Sequence, residues 1–181
     1  ANDVPARRHT CVRDEKEDLV NRFSLCLLAL LLAGNAQAEQ LQLVGKARLE
    51  VLFWSIYDSR LYTADGRYRD GQRPLRLELE YLRDIEAADL VEQTRNEWQH
   101  LQLPVQEKEL WLEELARLWP DVREDDVLAL EMRESGRSTF LLNGKPLGSI
   151  DDPQFGPSFL AIWLSPDTSR PELRRSLIGM N

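Results

Sequence analysis

Polar and apolar residues alternate most cleanly just after Pro74. Leu75, Leu77, Leu79 and Tyr81 fall on one side, and Arg76, Glu78 and Glu80 on the other. A period of two over this length predicts a half-buried strand. Upstream, Leu41 to Val44 and Ala47 to Trp54 read as strands around Gly45. Ile56 to Thr63 reads as another, closed by a turn at Ala64-Asp65-Gly66. Downstream the period changes. Ala87, Val91, Thr94, Trp98 and Leu101 recur at steps of three and four, which predicts a helix with Asp84 as its cap, broken at Leu103-Pro104. A second helix from about Gln106 carries Trp111, Leu115 and Leu118 on one face and stops at Pro120.

The strand period returns at Val127 to Met132 and Ser138 to Leu142. Asn143-Gly144 predicts a two-residue hairpin, because both central residues must take positive φ. Pro146 to Ile150 completes an antiparallel meander. Asp152-Pro153 predicts the start of a third helix bearing Phe155, Phe159, Ile162 and Trp163. Ser169-Arg170-Pro171-Glu172 has the capping-box pattern and opens a last short helix that ends at Gly179. Strands, two helices, three more strands and two helices make an α+β domain with a largely antiparallel sheet, not a parallel βαβ fold.

The N-terminal segment follows another logic. Asn21-Arg22 carries one positive charge, Phe23 to Ala33 is apolar except for Ser24, and Ala36-Gln37-Ala38 offers small residues where a signal peptidase reads. Together they predict a secretory signal peptide over residues 20–38 and a periplasmic mature domain over residues 39–181. The alternative, a buried core helix, would show a polar face. The run is too short to span a bilayer, which takes about 20 apolar residues. Residues 1–19 are charged and aperiodic. Val20 sits where a bacterial start codon would lie, so residues 1–19 are expected to be a gene-model extension, and disordered if made.

Both cysteines, Cys11 and Cys26, fall before residue 39, so the mature domain has neither a disulfide framework nor thiolate chemistry. With 23 Lys+Arg against 31 Asp+Glu the net charge is −8, which argues against a nucleic-acid partner. After residue 39 the single histidine is His100. With no clustered ligands around it, no metal site is expected, and without G-x-S-x-G no serine-hydrolase triad is expected. There is no glycine-rich phosphate loop, and no cofactor is expected. Asp152 in Asp151-Asp152 is explained as a cap, and Glu113-Glu114 as a solvated helix face. Trp98, Trp111, Trp119 and Trp163 sit at helical spacing, as core residues or as the lining of an apolar cleft.

The segment Phe53-Trp54-Ser55-Ile56-Tyr57-Asp58-Ser59-Arg60-Leu61-Tyr62 resembles the paired strands of chalcone isomerase-like proteins. Leu141 to Gly148, followed by Phe155, Phe159, Ile162-Trp163-Leu164 and Leu177-Ile178-Gly179, resembles that family's C-terminal half. The resemblance covers about residues 41–179, rests on order and spacing, and is closest to the bacterial secreted branch. It implies an open-faced β-sandwich, a large antiparallel sheet backed by helices with a ligand cleft between the layers. In the plant enzymes that cleft promotes an intramolecular cyclisation; in fatty-acid-binding relatives an Arg and a Tyr hold a carboxylate.

Carried over residue by residue, Gly45-Lys46-Ala47-Arg48 resembles the family's glycine-then-arginine segment and implies Arg48 as the anion-binding residue. The alternative pairs Arg48 with Glu50 or Glu78 on a sheet face. Tyr57 lies near the enzymes' Thr and Tyr62 matches an aromatic of the strand pattern, which makes both candidate ligand-binding residues. Tyr57 could equally be core with its hydroxyl at the rim. The enzymes' Tyr followed seven residues later by Asn is missing: Ala88 follows Tyr81 at that spacing, and Asp89 precedes Asn96. No catalytic residue is assigned. The expectation is a non-catalytic binder of a small amphipathic or fatty acid. The alternatives are an intramolecular lyase or isomerase on a phenolic or enone substrate, and an envelope protein-interaction module.

Overall fold

The alternation that begins at Leu75 becomes the middle of a six-stranded sheet. The strands are β1 (Gln42–Val51), β2 (Trp54–Thr63), β3 (Leu75–Tyr81), β4 (Val127–Met132), β5 (Ser138–Leu142) and β6 (Lys145–Ile150), and the helices are α1 (Ala87–His100), α2 (Lys108–Leu118), α3 (Phe155–Leu164) and α4 (Pro171–Leu177). All neighbours in the sheet are antiparallel and follow chain order, β1 to β6. The computed structural model describes residues 40–103 and 108–180, all within one unit, Glu39–Asn181. The expected export signal and N-terminal extension, the break at Pro104 and the helix start near Gln106 fall outside the described residues.

Register explains why the helices collect on one side. Leu61 opposes Leu77, Leu77 opposes Leu130, and Leu130 opposes Phe140, so one buried apolar row crosses four strands. The adjacent positions point the other way and carry charge. Arg60 pairs with Glu80, and Arg76 with Glu78 and Glu131. Period-two alternation thus splits the sheet into a helix-covered face and a charged open face, giving the α+β, open-faced β-sandwich architecture.

Aromatic side chains fill the space between the layers. Phe140 meets Trp119 and Phe159 edge-on at 5.3 and 5.4 Å. Phe155 lies against Trp98 and Trp111. Edge-to-face pairs add about 0.5–1.5 kcal/mol each to the area they bury. Trp98 also donates its Nε1–H to the Ser158 carbonyl at 2.9 Å, tying α1 to α3. All four helix-layer tryptophans are buried.

Several local expectations change. The two stretches around Gly45 merge into one strand, β1, which ends at Val51 rather than Trp54 and has a register shift between Leu43 and Gly45. Leu52 and Phe53 make the hairpin, Leu52 at φ 57°, and Trp54 opens β2. The apolar run Val51 to Trp54 looked like strand interior because the turn itself is apolar. Asp84 does not cap α1: its carboxylate accepts the Glu124 N–H at 2.9 Å, and Asp121 accepts the Ala87 N–H instead. Helix α3 starts two residues later than the Asp-Pro signal predicts, with Asp152 accepting from the Gln154 N–H and from Trp111 Nε1. The capping box at Ser169 is not formed, because its hydroxyl donates to Glu97 at 2.8 Å. Asn143 and Gly144 do take the predicted positive φ, 51° and 76°.

Candidate functional site

A cavity of about 380 Å³ opens between the helix-facing side of the sheet and helices α1 and α3. Its floor follows from the same alternation as the core: Leu49, Tyr57, Leu79 and Tyr81 each project toward the helices from β1, β2 or β3. Its roof is built by Leu90 and Thr94 of α1 with Phe159, Ile162 and Trp163 of α3. Thr94 adds no free donor, since its hydroxyl bonds the Leu90 carbonyl one turn back at 2.9 Å.

Two tyrosine hydroxyls interrupt the apolar interior. The rings of Tyr57 and Tyr81 meet edge-on at 6.0 Å. Trp163 Nε1–H donates to the Tyr57 oxygen at 2.9 Å, so this oxygen is spent as an acceptor. Its own proton finds no acceptor among the described residues. Burial pushes both hydroxyls well above the ordinary tyrosine pKa; at Tyr57 the Trp163 hydrogen bond opposes this, and nearby Glu97 adds to it while Arg170 subtracts. Both are therefore neutral donors at physiological pH.

The rim is polar. Asp89, Gln93 and Arg170 are the exposed polar members of the cavity wall, with half-buried Glu97 and Ser169 beside them. Arg170 is the one cation in that wall, and among the described residues it makes no ion pair. The loop that carries it is tightly held. Thr168 donates its hydroxyl to the Ile162 carbonyl at 2.6 Å and accepts the Arg170 N–H at 3.2 Å. Ser169 then ties the loop to Glu97 of α1.

Of the three residues expected to touch a ligand, Tyr57 stands in the cavity and the other two do not. Arg48 follows Ala47 and precedes Leu49, so it points to the open face, where it forks onto Asp58 with two bonds of 2.7 Å. That pairing raises the Arg48 pKa and holds the Asp58 carboxyl below its usual range. Neither Glu50 nor Glu78 is its partner. Tyr62 shares the open face with Arg76 and Glu78, and burial, reinforced by Glu78, raises its pKa. Arg48 and Tyr62 lie outside the cavity lining because of local strand parity: Arg48 alternates with the core-packed Ala47 and Leu49, and Tyr62 with the buried Leu61 and Thr63, so both turn away from the helices. Gly45, read as part of an anion-binding segment, has a packing role. A Cβ there would lie 2.3 Å from the Ser176 carbonyl oxygen.

Sequence reasoning missed Arg170 and Glu97 and left Tyr81 as plain core. Tyr81 was legible, since it closes the apolar series Leu75-Leu77-Leu79 with a hydroxyl. Arg170 was hidden inside Ser-Arg-Pro-Glu, which reads as a helix cap.

A family model described as chalcone isomerase-like matches residues 32–179. An uncharacterized protein of Haemophilus influenzae is 28% identical over 138 residues, which is 76% of this chain and 68% of that protein. The crystal structure of a fatty-acid binding protein of Arabidopsis thaliana superposes with a TM-score of 0.60, covering 77% of this chain and 87% of that one at 10% identity. At that identity the likeness is one of fold.

Proposed function

The chain belongs to the chalcone isomerase-like family, and from that premise we propose that it is a non-catalytic binder of a small amphipathic acid, a fatty acid by class. The observation that carries the reading is the gradient along the cavity: apolar walls inside, the Tyr57 and Tyr81 hydroxyls along them, and Arg170 on the exposed rim. The volume lies at the lower end of the roughly 300–1,000 Å³ common to small-molecule sites. An acyl chain would lie against Leu79, Leu90 and Phe159, with its carboxylate toward Arg170, whose guanidinium matches it in shape and charge. Tyr57 would donate its free proton. The fatty-acid binding protein that shares the fold supports the ligand class.

Two features favour binding over turnover. Hydroxyls held neutral by burial donate hydrogen bonds but do not abstract protons at physiological pH. The enzymes' Tyr-to-Asn spacing meets Ala88 instead. We also read the Phe23–Ala38 pattern as an export signal and assign the domain to the periplasm; fractionation of the producing cell tests this.

The ligand reading is tested by extracting the protein purified from its own cell and identifying bound lipid by mass spectrometry. A fluorescent fatty acid is then titrated into wild type, Arg170→Ala and Arg48→Ala. The expected result is a bound straight-chain acid and about ten- to a hundredfold weaker binding for Arg170→Ala, the range of a charge-assisted hydrogen bond. Arg48→Ala should bind as wild type does. No lipid and no probe binding, or equal losses in the two variants, would overturn it.

A further inference from the structure

The β1–β2 hairpin ends in four consecutive apolar residues, and all four are exposed. Leu52 is 88% exposed, Phe53 99% and Trp54 63%, with Val51 at 38%. Hydrophobic residues scattered singly on a surface need no explanation, but a contiguous protruding cluster does. Local folding does not supply one. Leu52 sits in the left-handed region at φ 57°, where Gly or Asn is cheapest and a leucine is uncommon. A residue that defies turn chemistry and then packs against nothing points to work outside the fold.

Its position says what work. Val51 belongs both to the tip and to the cavity wall, and Ile56, two residues past Trp54, lines that wall too. The tip is therefore continuous with the cavity mouth. Trp54 is the one exposed tryptophan; the other four are buried. The Arg83 guanidinium sits 5.2 Å from the Trp54 ring centroid. An amphipathic indole beside a cation, flanked by Leu and Phe, is the chemistry that settles at a bilayer interface, with apolar groups in the acyl region and the charge among headgroups.

We propose that the Leu52–Trp54 tip inserts shallowly into a lipid bilayer surface and so sets the cavity mouth against the membrane that holds its amphipathic ligand. A protein partner fits less well. A stable protein interface takes about 20–30 residues a side, and a convex tip of four offers little to complement, whereas a bilayer needs no matching shape. The net charge of −8 means that attachment draws on apolar insertion rather than on attraction to anionic lipid, so salt should weaken it little. The role assigned to the mouth rests on the ligand reading above; the docking itself does not.

The test uses the protein as the cell leaves it, wild type beside L52N/F53S, with asparagine chosen to suit the left-handed turn. Both are floated with phosphatidylcholine vesicles at low and high salt. Trp54 is then quenched by brominated phosphatidylcholine, with Trp54→Phe as the blank. The wild type should float at both salt levels and show quenching that Trp54→Phe lacks, and L52N/F53S should bind vesicles about tenfold or more weakly. The soluble fatty-acid probe should bind both alike. If the probe binds neither while only the wild type floats, the ligand reading fails and the docking stands. A wild type that stays in solution, a variant that floats equally, or a concentration-dependent dimer lost in L52N/F53S without vesicle binding would overturn the proposal.

Discussion

The indole N–H of Trp163 and the hydroxyl of Tyr57, 106 residues apart in the chain, meet at 2.9 Å across the gap between α3 and β2. This is one bond with two consequences. It fixes the helix over the sheet at the cavity wall, and it leaves the tyrosine proton free to point at a guest. Tyr57→Phe keeps the ring and removes both. The indole donor is then buried without a partner, which costs about 1–3 kcal/mol. Urea denaturation should show a loss of that size, and fatty-acid probe binding should weaken even where the variant is fully folded. Trp163→Phe should instead leave probe binding closer to wild type than Tyr57→Phe does, since the Tyr57 hydroxyl survives it.

Gly45 bears on the last helix rather than on a ligand. A methyl group there would sit 2.3 Å from the Ser176 carbonyl oxygen and 2.7 Å from that of Leu177. Both are backbone atoms at the end of α4, so no side chain can swing aside. Gly45→Ala should cost about 1–3 kcal/mol through overpacking, measured by thermal or urea unfolding. Because α4 follows directly on the Arg170 loop, probe affinity should fall with it. A variant as stable as wild type would show that α4 is not held by this contact.

Much of the fold was legible because periodicity reports burial. The β3 alternation, the Asn143-Gly144 turn and the α1 stripe through Thr94 and Trp98 all stand where the pattern predicts. What was not legible depended on parity and on long-range contacts. Whether Arg48 or Leu49 faces the helices is fixed by register shifts at Gly45 and at Glu50, and a shift of one residue exchanges the faces. Asp121 replaced Asp84 as the cap of α1 from 34 residues away. The rim cation came from a loop whose local pattern resembled a helix cap. The cavity was foreseeable in kind, and the identity of its charged residue was not.

Acid should weaken the open face. Asp58 has its pKa lowered chiefly by the hydrogen bond from Arg48. A carboxylate whose folded pKa lies below its unfolded value near 3.9 adds stability above that value and loses it as pH falls through the folded pKa. The pair is partly exposed, so the contribution is small and screened by salt. Urea midpoints measured from pH 6 down to pH 2 should decline slightly less steeply for Asp58→Asn than for wild type. Identical slopes would show that the pair adds nothing to stability.

Alkali should act on the cavity itself. Burial raises the pKa of both Tyr57 and Tyr81 above that of an unfolded tyrosine. Below the unfolded value of about 10, both folded and unfolded chains keep these hydroxyls protonated and the full stability is present. As pH rises past about 10 the unfolded chain ionises while the buried hydroxyls resist, so the unfolded state gains and stability falls until the folded pKa is reached. Binding should behave differently from stability. Where the native fold persists, the hydroxyls stay neutral donors and the fatty-acid probe should bind above pH 10 about as it does at pH 8. Tyr81→Phe should lessen the alkaline stability loss, because it removes one of the buried hydroxyls that drive it. Fluorescence-detected urea curves from pH 8 to pH 11, read beside probe titrations at the same pH values, separate the two effects. A probe affinity that collapses near pH 10 in fully folded protein would mean that a cavity hydroxyl ionises at the ordinary tyrosine value and that the apolar wall does not shield it.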